Sequence, residues 1–271
     1  MMKDLLGALG ITGDPNETLR LVTLALARSM PALFLNPFLG GQSVPAQVKI
    51  GLAFSFTILM LPALTRGAPP MPVGTTFTFL MMKELAIGVT LGYLSSLVFW
   101  TFATAGRLID TQRGANQAET MVYQLKERTS FLGQFYFQAS VAIFLLLNGH
   151  HLYLRGYFES FQVLPVWQFP QFAVDPARIV EDVIEVTGRL FLVSLQLAGP
   201  AVLALFLVDV AFGVLNRAAA QINVFSLSQP VKLFVGLIIA IATLGAMGDA
   251  IELQLAAMIE DTRRFVGYLG R

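Results

Sequence analysis

The sequence contains no cysteine and only two histidines. The absence of cysteine excludes disulfides, iron–sulfur clusters and thiol nucleophiles, but it leaves the redox compartment open. The two histidines, His150 and His151, are adjacent, so on a helix they point in different directions and do not bind one metal ion as an i, i+4 pair would. We interpret them as a polar cap at the end of an apolar segment.

Signatures of nucleotide binding and of covalent catalysis are also absent from the sequence. There is no Walker-type phosphate loop, no Gly-x-Ser-x-Gly elbow and no Ser-His-Asp pattern. No spacing of histidine and carboxylate residues is typical of a metal site. The sequence therefore predicts no enzyme, no metal and no cofactor.

Charged residues are scarce, at 13% of the chain against 55% hydrophobic residues. Soluble proteins carry roughly 25% charged residues. The net charge of +1 argues against a nucleic-acid partner, which would need a clustered basic surface. The deficit of charge extends over the whole length, so we expect residues 1–271 to form one membrane-associated helical domain, and we expect no cleaved signal peptide.

Apolar residues are concentrated in six segments without the period-2 alternation of strands. This pattern predicts an all-α polytopic membrane protein of about six helical segments arranged as hairpins, several of them broken by proline or glycine. We expect the segments to cover about residues 19–35, 48–64, 85–105, 131–147, 190–215 and 231–247. The fourth ends at Asn148-Gly149 and is followed by a proline-containing loop, Gly199-Pro200 interrupts the fifth, and Pro230 opens the sixth.

Several charged residues lie inside the apolar segments. Arg20 and Arg28 occur in the first segment, where an arginine at the centre of a lipid-exposed helix costs about 2.5–3.5 kcal/mol. We therefore expect this helix to pack in a protein assembly whose groups satisfy the guanidinium groups. Glu84 and Asp209 are proton-relay candidates. The alternative that we favour is a charge at a helix end or a buried ion pair, with Lys83 beside Glu84 and Arg217 two turns beyond Asp209.

Two glycine patterns stand out. Gly88 and Gly92 have the small-xxx-small spacing that lets two helices approach closely, although chance produces this spacing often. Residues 106–115, GRLIDTQRGA, form a polar segment directly after an apolar run long enough to cross a membrane. Irregular polar backbone beside membrane helices is tolerated where it faces protein or water, so this segment is typical of a passage or a joint.

Three blocks in one order resemble the FliR/SctT family of export proteins. The blocks are residues 36–49, NPFLGGQSVPAQVK, residues 106–115 above, and residues 217–232, RAAAQINVFSLSQPVK. They are similar, respectively, to the family's Pro-Phe turn with a following Val-Pro, its Gly-x-x-Ile-Asp-x-Gln-x-Gly segment, and its Arg-x-x-Pro-Gln-x-Asn-Val-Phe stretch. Two departures, at Ala220 and at residues 123–125, replace proline-containing turns. Residues 110–115 and 225–230 resemble the injectisome branch more than the flagellar branch.

The resemblance implies a subunit of the type III secretion export gate in the bacterial inner membrane. It implies a hetero-oligomer with P/R-type and Q/S-type membrane subunits and the switch (autoprotease) subunit, through which unfolded secreted proteins pass. The motif residues become assembly candidates: Pro37, Pro45, Arg217, Gln221, Asn223, Phe225, Pro230 and Lys232. The runner-up function is a secondary transporter with a broken helix at Gly199-Pro200 and an ion site at Asp209.

For the polar segment we hold two hypotheses. In the first it forms a plug or constriction of the gate, with these candidates: Gly106, Asp110, Gln112, Arg113 and Gly114. Glycine supplies the backbone freedom and the polar side chains pair across a narrow pore. In the second it is a helix-capping turn in which Asp110 and Arg113 pair with each other. In neither hypothesis does the segment perform chemistry.

Overall fold

The computed structural model describes residues 14–41, 44–66, 68–114, 130–170, 176–218 and 223–269, and these contain helices and no strand. The predicted all-α fold is confirmed. The described helices are α1 (Pro15–Phe34), α2 (Pro37–Gly40), α3 (Ala46–Thr65), α4 (Thr75–Gln112), α5 (Phe131–Leu146), α6 (Gly149–Val163), α7 (Pro176–Ala218), α8 (Val224–Ala242) and α9 (Leu244–Leu269).

Three of these helices, α3, α4 and α7, are long and apolar enough to cross a membrane. Two consecutive pairs, α5 with α6 and α8 with α9, satisfy the same test when each bent pair counts as one broken span, which raises the number to five. The composition of the described helices thus confirms a multi-pass membrane protein, with fewer spans than the six apolar segments of the sequence.

The helices extend past several points at which the sequence predicts breaks. Gly199-Pro200 lies within a continuous α7, and Pro230 lies within α8 rather than at its start. Proline has a helical φ and removes only one N–H donor, and such losses are tolerated in membrane helices. The predicted break at Gly199-Pro200 and the predicted start at Pro230 were wrong.

Two helices were missed. Instead of a loop, α6 follows Asn148, which ends the preceding turn with a φ of 58°, and α9 follows α8 after the single residue Thr243. Both helices are amphipathic and carry charged residues such as Arg155 and Glu260. A search for uninterrupted apolar runs overlooks helices of this kind, because only one of their faces is apolar.

The chain divides into two compact units, and the boundaries between them fall within α4, α7 and α9 as well as between α5 and α6. Unit 1 contains residues 1–96, 149–182 and 257–271, and unit 2 contains residues 97–148 and 183–256. Unit 1 has an apolar core formed by α1, α3, α4 and α6, with Leu24, Leu80 and Tyr157 almost completely buried.

Within unit 1, α1 and α4 approach each other closely along the predicted small-xxx-small face. A Cβ atom on Gly88 would collide with the Arg28 carbonyl and lie 2.6 Å from Pro31 Cγ, and one on Gly92 would lie 2.7 Å from the Pro31 carbonyl oxygen. No side chain fits at either position without moving backbone. The glycine spacing therefore marks a real helix contact.

Candidate functional site

Residues 106–112 of the polar segment form the C-terminal part of α4 rather than irregular backbone. The helix begins at Thr75, continues through Gly106 to Gln112, and is followed by Gly114 with a φ of +74°. The third segment was therefore predicted to end too early, and Gly106 does not interrupt the helix. Gly114 does have the left-handed conformation that favours glycine.

Gly106 lies where α4 crosses the start of α5 in unit 2. A Cβ atom at this position would lie 2.6 Å from the Gly133 nitrogen and would overlap the Leu132 carbonyl. A Cβ on Gly133 would in turn lie 2.8 Å from Arg107 Cγ. The two glycines allow the helices to approach closely enough for side chains at the end of α4 to reach the backbone of α5.

Asp110 uses this proximity to cap α5. Its carboxylate accepts hydrogen bonds from the Ser130 hydroxyl at 2.7 Å and from the Leu132 amide at 2.8 Å. The Ser130 hydroxyl oxygen accepts a further bond from the Gly133 amide at 2.9 Å. A carboxylate at a helix N-terminus satisfies amides that have no partner in the helix and interacts favourably with the helix dipole. Asp110 therefore holds the two helices together.

Arg113, which directly follows α4, belongs to the same cluster and contacts α8. Its Nη1 donates to Asp110 Oδ1 at 3.1 Å, and the exposed fractions of the two side chains are only 9% and 2%. The aliphatic part of Arg113 lies on Gly236, where a Cβ would be 2.7 Å from its Cγ. Its Nε is buried without a hydrogen-bond partner in the described part of the chain. Arg113 thus links the end of α4 to α8.

We call this arrangement of Gly106, Asp110, Arg113, Ser130 and Gly236 the three-helix joint. A nearby hydrogen bond strengthens the same connection: the Tyr136 hydroxyl of α5 donates to the Ala240 carbonyl of α8 at 3.1 Å. Two further positions lie beside the joint. Gly114 is next to Gln229 of α8, where a Cβ would lie 3.2 Å from the Gln229 side-chain oxygen, and Gln112 is half-buried.

The assembly candidates of the third block lie around α7 and α8 but do not form one site. Asn223 caps α8 by accepting from the Ser226 amide at 3.3 Å, Arg217 and Pro230 are exposed, and Lys232 forms an ion pair with Asp209 of α7. Asp209 was expected to pair with Arg217, so that partner was wrong. Gln221 and the side chain of Phe225 lie outside the described residues.

The two proline candidates belong to unit 1. Pro37 is the first residue of α2, and the Asn36 side chain before it accepts from the Phe38 amide at 3.1 Å. The same Asn36 side chain is buried and donates to Ser95 of α4 at 3.0 Å. Pro45 is exposed, and its carbonyl accepts from the amide of Val48 in the first turn of α3 at 3.0 Å. The prolines therefore start two helices.

A second polar cluster, in unit 1, surrounds the buried arginine of α1. Arg28 donates to Glu84 through Nε at 2.5 Å and through Nη2 at 2.9 Å, and both side chains are fully buried. Its remaining donors reach the Ser160 and Leu164 carbonyls at 2.8 and 2.9 Å. The expectation that protein groups satisfy this arginine is met within the chain itself.

Lys83 extends the Arg28 cluster. It forms an ion pair with Glu84 and donates to the carbonyl of Gln168 at 2.9 Å, in the loop after α6. The favoured alternative for Glu84, a buried pair with Lys83, is therefore present, but Arg28 is its bidentate partner. The signal in the sequence was the arginine itself, because a buried guanidinium requires a carboxylate or several carbonyls nearby.

The described residues contain no group of three or more His, Asp or Glu side chains that could hold a metal ion. His150 and His151 lie at the start of α6, and the centroids of their rings are 4.1 Å apart. The charged side chains of the two polar clusters instead form ion pairs and hydrogen bonds, several of which join different helices. Together with the apolar spans, they define a multi-pass helical membrane protein whose buried polar groups hold its helices together.

Comparison with known proteins identifies this membrane protein further. Residues 19–258 match the family described as "Bacterial export proteins, family 1". The chain belongs to this family, which confirms the resemblance drawn from the three sequence blocks. It is a component of the bacterial type III export apparatus and a multi-pass protein of the inner membrane.

Individual relatives include both flagellar and secretion proteins. The "Flagellar biosynthetic protein FliR" of Bacillus subtilis (strain 168) is 28% identical over 86% of this chain and 90% of its own length. The "Secretion system apparatus protein SsaT" of Salmonella typhimurium (strain LT2) is 29% identical over 80% and 84%, respectively. The "Yop proteins translocation protein T" of Yersinia pestis is 28% identical over 87% and 90%. Identity alone does not separate the two branches.

Proposed function

We propose that the chain is a non-enzymatic subunit of the export gate of an injectisome-type secretion system. In this proposal it assembles with P/R-type and Q/S-type membrane subunits and with the switch subunit, and unfolded proteins pass through the resulting channel. The family match over residues 19–258 carries the proposal. The charged groups of the two polar clusters support the non-enzymatic part, since they are engaged in contacts between helices.

A contact between two branch-typical segments supports the assignment to the injectisome branch. Residues 110–115 and 225–230 are the ones that resemble the injectisome branch, and Gly114 of the first segment lies directly beside Gln229 of the second in unit 2. Arg113, one of the branch-typical residues, makes its ion pair in the same region. Residues that distinguish the branches thus contact one another and form one feature.

We also propose that residues 106–114 serve the gate as a mechanical element. Asp110 and Arg113 pair within the chain, which favours the joint over the plug for these two residues. Arg107, Leu108 and Thr111 are exposed; Arg107 and Thr111 also make contacts within the chain, and Leu108 can line a passage or contact another subunit. In this proposal the joint holds residues 106–114 in place, and these residues shape the passage without taking part in chemistry.

Co-expression tests the assembly proposal. The chain is produced with and without P/R-type and Q/S-type membrane subunits, purified in detergent, and analysed for stoichiometry by native mass spectrometry. We expect an intact hetero-oligomer only on co-expression. A monodisperse homo-oligomer that is stable alone would contradict the export-gate proposal.

Gene deletion distinguishes the branches. Removal of the gene in a host with both systems is expected to abolish injectisome secretion and leave swimming motility intact. Loss of motility with normal secretion would assign the chain to the flagellar branch. Complementation with the wild-type gene is the control for effects on neighbouring genes.

A substitution at an exposed position tests the proposed role of residues 106–114. Leu108→Ala leaves Asp110, Arg113 and the contacts of Arg107 and Thr111 intact, so assembly is expected to be normal. Small-solute leakage through the assembled gate should then rise. Normal assembly with unchanged leakage would leave the segment a purely structural joint.

A further inference from the structure

Unit 1 contains an open cleft that the proposed function does not use. It lies between α4, α6 and α9, is open to solvent, and has a cavity volume of about 90 Å³. Its wall is largely apolar, with Leu91 from α4, Leu152 from α6, and Met258 and Ile259 from α9. The cleft therefore offers an apolar surface that a hydrocarbon chain can cover.

Two arginines accompany this apolar wall. Arg155 is 74% exposed and donates from Nε to Glu159 at 2.8 Å, so neither of its Nη groups is used in that bond. Arg263 also lines the cleft and is exposed, with no ion pair in the described part of the chain. With Glu159 as the acidic lining residue, the lining carries one net positive charge.

We propose that this cleft binds one anionic phospholipid, with an acyl chain on the apolar wall and the phosphate on Arg155 and Arg263. Guanidinium groups bind phosphate oxygens through paired hydrogen bonds, and basic pockets between membrane helices bind anionic headgroups. A lipid is the occupant because α6 and α9 each belong to a helix pair with the composition of a membrane span. Both helices are amphipathic, as expected at the level of the headgroups.

Gly156 provides a way to fill the cleft. It lines the cleft, and a Cβ added there would meet only Thr262 Cγ2 at 3.8 Å, which is ordinary van der Waals contact. Gly156→Ala is therefore accommodated, whereas the larger side chain of Gly156→Leu occupies space that the acyl chain needs. The two variants form a matched pair at one position.

The test uses the full chain purified with its neighbouring membrane subunits and delipidated in detergent. Native mass spectrometry then counts retained lipids during titration with dioleoyl phosphatidylglycerol or dioleoyl phosphatidylethanolamine. We expect the wild type and Gly156→Ala to retain one phosphatidylglycerol about tenfold more tightly than phosphatidylethanolamine, the gain of a charge-assisted contact. Gly156→Leu should lose this preferential retention.

If Gly156→Leu fails to assemble, variants of the two cleft arginines test whether the cleft binds the anionic lipid. Arg155→Gln/Arg263→Gln should abolish the preference for phosphatidylglycerol, whereas Arg178→Gln/Arg189→Gln, which removes the same charge outside the cleft, should preserve it. Equal retention of the two lipids by the wild type, or an unchanged preference in the cleft variants, would overturn the proposal. Displacement of the lipid by an equal concentration of glycerophosphoglycerol would also overturn it, because the cleft would then be a simple anion site.

Discussion

Glu84→Gln is expected to be among the most damaging conservative substitutions in unit 1. The carboxylate of Glu84 accepts two bonds from Arg28 and pairs with Lys83, and the Arg28 and Glu84 side chains are 0% exposed. Glutamine supplies one acceptor oxygen and turns an N–H group toward other donors. The guanidinium then stays buried beside a lysine without a counter-charge.

The size of the effect follows from burial. Removal of one partner of a buried ion pair costs about 3–5 kcal/mol, since it leaves an uncompensated charge. A typical domain is stable by about 5–15 kcal/mol, so Glu84→Gln removes a large share of the free energy of unfolding. The measurement is the equilibrium unfolding of the purified protein in mixed micelles with an increasing fraction of dodecyl sulfate.

Arg189→Gln is the matched control, because it breaks an i, i+4 pair with Glu185 in which the two side chains are 28% and 63% exposed. This substitution is expected to cost about 0–1 kcal/mol. The double variant Arg28→Met/Glu84→Met removes both charges and should cost less than the sum of its single substitutions. The reasoning is refuted if Glu84→Gln is as mild as Arg189→Gln, or if the double variant is fully additive.

Three further predictions concern the three-helix joint and Gly114 beside it. Gly106→Ala forces a methyl group against the Leu132 carbonyl and should lower stability by about 1–3 kcal/mol, while Gly199→Ala, which meets nothing within 4 Å, should be tolerated. Gly114→Ala should cost about 1 kcal/mol because of its positive φ. Asp110→Asn loses its charge and should cost about 1.5–3 kcal/mol. The same unfolding titration measures all of them.

Each of these predictions has a contradicting result. Equal stability of Gly106→Ala and Gly199→Ala would mean that α4 and α5 do not cross as closely as the structure shows. A stabilising Gly114→Ala would mean that this residue does not have a left-handed conformation. Full stability of Asp110→Asn would show that the amide caps α5 as well as the carboxylate does.

Helix identity was predictable from the sequence, and helix ends were much less so. Long apolar runs without alternation identify membrane helices because composition alone determines whether a segment suits lipid. The end of α4 depends instead on Asp110 and Arg113, whose partners lie on α5 and α8. The polar residues that follow Gly106 suggested that the helix ends there. Contacts with α5 and α8 instead keep these residues helical.

The sequence also did not reveal which distant charged residues form ion pairs with each other. Glu84 was recognised as a costly buried group, yet its main partner Arg28 lies 56 residues earlier and on another helix. Likewise, Asp209 was matched to Arg217 on its own helix, but Lys232 of α8 is the actual partner. Spacing along one helix reveals i, i+4 neighbours and contains no information on which helices meet.

The position of Arg28 has a consequence for how the protein is made. The arginine leaves the ribosome early, but the Leu164 carbonyl that completes its coordination is synthesised 136 residues later. At translation rates of about 5–20 residues per second, that interval is roughly 7–27 s. The guanidinium has no counter-charge until Glu84 is synthesised, 56 residues after it, and lacks its carbonyl partners for the rest of the interval, so α1 gains little from entering lipid. Membrane integration of the first helix should therefore lag behind its synthesis, and the insertion machinery must retain it until α6 emerges.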